Sequence, residues 1–307
     1  MPKTMLIEAQ ELVREVAARS MALNSAATDP PQRERAGQRS VIFDCRFALG
    51  DPEAGRAQYL RGHVPGAHYL DLEQHLCGPV GPHGGRHPLP EPTQLQATLA
   101  RFGVGPETPV IAYDDSRLAF AARLWWLMRS LGYRPPRLLN GGFSAYLAAG
   151  GLADIDDPVP TPVPVSAPAV TSGPADADGR ASATYAGCCD RQSLAALFAA
   201  GGVLVDSREA HRYEGLQEPI DPVAGHIPGA VNRPWQGVTD TSGRVLDSAV
   251  LRTHWGDLLQ ADTMVVYCGS GVTACVNLFS LALLGRDDAQ LYPGSWSDWC
   301  SWLPADR

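Results

Sequence analysis

Lysine is almost missing from this chain. Of the 25 Lys and Arg residues among 307, one is lysine, Lys3, close to the N-terminus. That excludes Schiff-base chemistry, a lysine general base and the lysine of a phosphate loop. Positive charge is scarce overall: the formal net charge is −8, and no arginine run supplies the basic footprint that nucleic-acid binding needs. The seven cysteines, from Cys45 to Cys300, include no CxxC pair, so they fit neither zinc-ligand spacing nor the disulfide framework of a small secreted domain. They indicate a reducing compartment. Long apolar runs are lacking too. No stretch approaches the roughly 18 apolar residues of a membrane span, and Glu8, Glu11, Arg14, Glu15 and Arg19 break up what would be the core of a signal peptide. The expectation is a cytoplasmic protein, with no membrane and no nucleic-acid partner, whose N-terminus is an amphipathic helix. Its 45% apolar and 19% charged residues are those of an ordinary globular chain long enough for two domains.

What the chain does contain is a second copy of itself. Gly62-His63-Val64-Pro65-Gly66-Ala67 recurs as Gly225-His226-Ile227-Pro228-Gly229-Ala230. Upstream, Val41-Ile42-Phe43-Asp44-Cys45-Arg46 matches Val203-Leu204-Val205-Asp206-Ser207-Arg208. Downstream, Val110-Ile111-Ala112-Tyr113-Asp114 matches Met264-Val265-Val266-Tyr267-Cys268, and Gly141-Gly142-Phe143-Ser144 matches Gly294-Ser295-Trp296-Ser297. Landmarks in one order with slowly drifting spacing indicate a duplicated domain with loop insertions. Residues 154–183 form a Pro-, Ala-, Asp- and Gly-rich stretch that cannot continue regular structure. It is read as a linker between an N-terminal domain, 1–153, and a C-terminal domain, 184–307. A polar segment around Ala26 to Arg39 is read as a surface loop.

Within each copy, short β-branched runs alternate with helical patterns, which predicts α/β domains, each a mostly parallel sheet with helices on both faces. Thr263 to Tyr267 is a continuous apolar run, as in a strand covered on both sides. Arg123 to Leu131, stopped by Gly132, reads as a helix with a broad buried face, and Trp125 and Trp126 as core packing.

The copies differ where it matters chemically. At the end of the matching strand, copy one has Asp114 and copy two has Cys268, followed by Gly269-Ser270-Gly271-Val272-Thr273-Ala274. A strand, glycine loop and helix in succession turn backbone N–H groups inward as an anion-binding nest, reinforced by the helix N-terminus. A thiol at the loop's first position is expected to have its pKa lowered and to act as a nucleophile. A Cys-x5-Arg phosphatase would need arginine at position 274 to clamp phosphoryl oxygens; Ala274 stands there. A single thiolate in an amide-lined nest suits a persulfide better. The bland alternative is an inert buried strand-end cysteine.

These features resemble the tandem-domain sulfurtransferases of the rhodanese superfamily. The resemblance rests on both Gly-His-x-Pro-Gly-Ala elements, Asp206-Ser207-Arg208, Arg212-Tyr213-x-Gly215, the Cys268 loop and the Gly294-Ser295-Trp296-Ser297-Asp298-Trp299 ending. It implies a silent N-terminal copy and a ping-pong cycle. In that cycle a small anionic donor, 3-mercaptopyruvate or thiosulfate, gives sulfur to Cys268, and an acceptor such as cyanide, a thiol or thioredoxin removes it. No metal or organic cofactor is implied. Cys-Gly-Ser-Gly-Val-Thr looks like the mercaptopyruvate type, whereas the thiosulfate type carries cations in the loop. Thiosulfate as preferred donor stays open, as does a non-catalytic binding module.

The resemblance makes Arg212 a substrate arginine; its alternative is a surface ion pair with Glu214 or Glu218. Gly269, Gly271, Val272 and Thr273 would line the donor, and Arg86 is a further candidate contact. A second substrate arginine, expected just after a Glu-Pro step, is missing from Glu218-Pro219-Ile220-Asp221. A proton relay in the family implies Ser270, His87 and, where aspartate is usual, Glu73. Arg208 with Asp206, repeated as Arg46 with Asp44, reads as a structural salt bridge, and the duplicated His63 and His226 as turn-stabilising. Cys275 should lie buried in the helix, and Cys188-Cys189 could be exposed and redox-active.

Overall fold

A computed structural model describes residues 5–26, 40–165 and 184–304. Lys3, most of the polar segment before Ser40 and the linker from residue 166 onward lie outside the described residues. The chain divides into two compact units. One comprises Met1–Asp71, Thr93–Thr171 and Ser242–Arg244; the other comprises Leu72–Pro92, Ser172–Thr241 and Val245–Arg307. The segment Leu72–Pro92 therefore belongs to the first copy by sequence and to the second unit by packing.

The first unit holds a five-stranded sheet of β1 (Leu6–Ile7), β2 (Val41–Asp44), β3 (Ala67–Tyr69), β4 (Val110–Tyr113) and β5 (Arg137–Leu139). Their spatial order is β1-β5-β4-β2-β3, and every pair is parallel. All four residues of β4 are buried, as its unbroken apolar run requires. The expected N-terminal helix spans Ala9–Ala26, and Ala9, Leu12 and Val16 carry its buried side into the core with Ile42, Ile111 and Tyr113. In helix Ala121–Ser130 every residue but Arg129 is buried, so the broad face expected there extends nearly all round. Trp125 and Trp126 are buried within it, and Gly132 at φ 76° ends the turn. Residues 154–165 run along this unit: Asp154 pairs with His63 in an antiparallel bridge, and Asp157 bonds Arg56 and Tyr59.

The second unit repeats the plan with four parallel strands: β6 (Val203–Asp206), β7 (Val231–Asn232), β8 (Met264–Tyr267) and β9 (Gln290–Leu291), ordered β7-β6-β8-β9. The chain leaves β6 toward β7 on one side and returns to place β8 on the other. In parallel sheets of this kind such a reversal of strand order marks the carboxyl ends of the two central strands, here β6 and β8, as the place where ligands bind. Cys268 follows β8, and Arg208 lies just after β6.

Shared side chains build that corner in both units. Arg208 grips Asp206 and the Gly225 carbonyl, and its guanidinium lies 4.8 Å from the Trp296 ring centre; Arg46 does the same with Asp44, the Gly62 carbonyl and Phe143, at 4.3 Å. His226 stacks on Tyr213 and pairs with its carbonyl; His63 stacks on Tyr59 and does likewise. These duplicated residues are scaffold.

Candidate active site

The Cys268 loop is held by the segment that follows β9. The Cys268 N–H donates to Ser295 Oγ at 3.1 Å, and that hydroxyl donates to the Tyr292 carbonyl at 2.9 Å. Trp296 N–H reaches the Cys268 carbonyl at 3.0 Å, and Ser297 N–H the Gly269 carbonyl at 2.9 Å. Ser295 sits at φ 56°, a left-handed conformation that costs a non-glycine residue about 1 to 2 kcal/mol. Its hydroxyl bonds offset that cost. The corresponding Gly142 adopts φ 66° without penalty. The glycine-to-serine difference in the duplicated motif was a visible signal for this residue, which motif matching passes over.

Within the loop, Gly271 N–H points at Cys268 Sγ from 3.2 Å. Gly271 has φ 78°, and a Cβ there would run into the Pro293 carbonyl. Only glycine lets the amide come this close. Cys268 is 1% exposed. Ser270 is buried and its hydroxyl lies 2.7 Å from His87 Nδ1, also buried. Val272 is buried, so its backbone is what it can offer, and Thr273 begins helix Ala274–Leu283. Two of the three relay candidates thus form a pair; Glu73 lies exposed in the short helix Leu72–His75.

Arg212 is 9% exposed, so the ion pair with Glu218 considered from sequence is present but buried rather than at the surface. Its partners are Glu218, through Nη2 at 2.7 Å and Nε at 3.2 Å, and Asp221, at 3.4 Å. Asp221 also pairs with Arg86. A Cβ built on Gly269 would stand 3.2 Å from Arg86 Nη2 and 3.6 and 3.7 Å from the Arg212 Nη atoms, so both guanidinium groups converge over the residue next to Cys268. Burial draws the Arg86 guanidinium below its ordinary pKa; the Cys268 sulfur opposes this and the Arg212 charge adds to it. Asp221 is the residue that sequence reasoning missed. It adjoins the very position where arginine was expected.

Burial pushes Cys189 and Cys300 up to about 11 and Cys45 well above its ordinary value. Cys188 is exposed but Cys189 is buried, so the exposed pair expected from sequence is half correct. Cys275 is buried in its helix and bonds the Gly271 carbonyl. Among the described residues, no helix is long and apolar enough to cross a membrane, and no group of three His, Cys, Asp or Glu side chains could hold a metal ion.

Comparison with known proteins agrees with this architecture. The Rhodanese-like domain family matches twice, over residues 31–149 and 190–301. A Pseudomonas aeruginosa protein provisionally named 3-mercaptopyruvate sulfurtransferase is 42% identical over 270 residues, 84% of this chain and 88% of its own length. A Mycobacterium tuberculosis protein provisionally named thiosulfate sulfurtransferase is 41% identical over 271 residues, 87% of this chain and 90% of its own. The solved 3-mercaptopyruvate sulfurtransferase from Leishmania major superposes with a TM-score of 0.72 at 30% identity, covering 88% of this chain and 73% of that one. The chain belongs to the rhodanese superfamily, as two Rhodanese-like domains in tandem. Within that class it is an enzyme, a sulfurtransferase, acting between a sulfur donor and an acceptor.

Proposed function

We propose that Cys268 carries the transferred sulfur as a persulfide, with 3-mercaptopyruvate as favoured donor, thiosulfate as alternative, and cyanide, a thiol or thioredoxin as acceptor, in the cytoplasm. The observation that carries this reading is the buried Cys268 Sγ facing the Gly271 N–H, beside two converging guanidinium groups. A thiolate is the form of Cys268 that acts as nucleophile in this reading. With 3-mercaptopyruvate the thiolate attacks the donor sulfur; an S–S bond forms and the mercaptopyruvate C–S bond breaks. Pyruvate leaves as its enolate and takes up the proton that the transferred sulfur brought, with Ser270 and His87 as the route. What remains is the persulfide anion on Cys268. The acceptor attacks its outer sulfur, the S–S bond breaks, and Cys268 departs as thiolate. A cation-free Cys-Gly-Ser-Gly-Val-Thr loop favours mercaptopyruvate, because the donor's carboxylate can then be met by arginine forks from outside the loop.

The test offers each donor with cyanide and records intact mass before cyanide is added. A gain of one sulfur atom and thiocyanate formation are expected, both lost in Cys268→Ser, with turnover down by at least about 1000-fold. Turnover surviving that substitution would remove the mechanism.

A further inference from the structure

We propose that Arg86 is the second donor-binding cation of this enzyme and Asp221 the residue that positions it, together supplying the clamp that Glu218-Pro219-Ile220-Asp221 lacks. This rests on the donor-binding reading above.

The segment that carries Arg86 is fastened at several points. Gly78 N–H closes it on the Pro88 carbonyl at 3.0 Å; Gly84 N–H binds Asp298 Oδ1 at 2.8 Å, and Arg86 N–H binds Ser297 Oγ at 3.1 Å. The adjacent His87 is paired with Ser270. A long side chain rising from a backbone pinned this way loses less freedom on binding than one on a free loop. Asp221 then divides its two oxygens, Oδ1 to Arg86 and Oδ2 to Arg212, and its side chain is 2% exposed. Glu218 Oε1 fixes Asp221 in turn by accepting the Ile220 and Asp221 N–H groups at 3.1 and 3.0 Å.

Each guanidinium has five N–H donors. Among the described residues, Arg86 Nη2 and Arg212 Nη1 carry no hydrogen-bond partner, and both face the space above Gly269. Two forks meeting over one point fit the clustered oxygens of a small anion, either the carboxylate and keto oxygens of a 2-oxo acid or a sulfonate. Gly269 is what keeps that point open. Charge does not decide the matter, because Arg86, Arg208 and Arg212 are already balanced by Asp206, Glu218 and Asp221. The donor is held by directed N–H groups.

The experiment measures KM for 3-mercaptopyruvate, thiosulfate and cyanide in the full chain and in Arg86→Gln, Arg86→Lys and Asp221→Asn. Arg86→Gln is expected to raise the donor KM at least tenfold with the cyanide KM unchanged. Arg86→Lys, keeping the charge but losing the fork, should fall between. Asp221→Asn should raise donor KM more than it lowers kcat. A shift for mercaptopyruvate alone assigns the site to the 2-oxo acid, and a shift for both donors assigns it to the shared anion. Unfolding midpoints identify any variant whose fold has changed, and the half-exposed Arg86 carries the test should Asp221→Asn fail to fold. Unchanged donor KM in Arg86→Gln, or an equal rise for cyanide, would overturn the assignment. Absence of a persulfide in the unsubstituted enzyme would instead defeat the underlying reading.

Discussion

Asp114 and Cys268 end equivalent strands, and the loops that follow them are built to different ends. The Asp114 carboxyl accepts four backbone N–H groups, from Ser116 and Leu118 at Oδ1 and from Phe120 and Ala121 at Oδ2, at 2.8 to 3.1 Å. Burial raises its pKa and those four bonds pull it back. Its oxygens stand two bonds beyond Cβ, where the outer sulfur of a persulfide on Cys268 would stand. The first copy has filled its nest with a permanent side chain of the same reach, while the second keeps a nucleophile one atom shorter. Asp115 follows in the first copy, bound to Ser144, where the second has Gly269 beneath two arginines. The first loop thus differs from the second both in lacking the thiol and in having a carboxylate where the second has open space beside it.

Moving the nucleophile would test that contrast most severely. The double variant Asp114→Cys with Cys268→Ser should remain at least about 1000-fold below the native enzyme in thiocyanate formation, because the thiol would no longer stand beside Arg86, Arg212 and the Ser270–His87 pair. Substantial turnover would mean that the thiol alone makes the difference. Next in size, Asp114→Ala should cost about 3 to 5 kcal/mol, since four buried N–H groups lose their acceptor. A lowered urea midpoint would register this, and an unchanged one would refute the filled-nest account. Smaller again, Gly269→Asp, which imports the first copy's residue, should reduce kcat/KM for an anionic donor about ten- to a hundredfold by engaging the arginines. The cyanide KM should stay put, and an equal effect on both substrates would point to general distortion.

The scaffold was legible in the sequence because it is written twice. Asp44-Cys45-Arg46 and Asp206-Ser207-Arg208 repeat since each aspartate must be neutralised where it is buried, and the Gly-His-x-Pro-Gly-Ala turns repeat since each histidine must stack on a tyrosine. Cys268, the proposed nucleophile, stood out as the place where the repeats disagree. Asp221 was not legible, because its role depends on two arginines far from it in the chain. Nor was the burial of Arg212, because Glu218 and Asp221, which close around it, lie on a loop whose path no local pattern gives. The pairing of Ser270 with His87 could be expected only through family resemblance, since no local pattern joins residues so far apart.

The segment Leu72–Pro92 has a consequence for how such a chain can change over generations. A gene piece encoding residues 184–307 would specify the thiol without Arg86 and without the histidine that meets Ser270. The surroundings of Cys268 are therefore encoded in both copies, and the first half cannot be shed, shuffled or replaced as a unit without removing side chains that the second unit packs around its thiol.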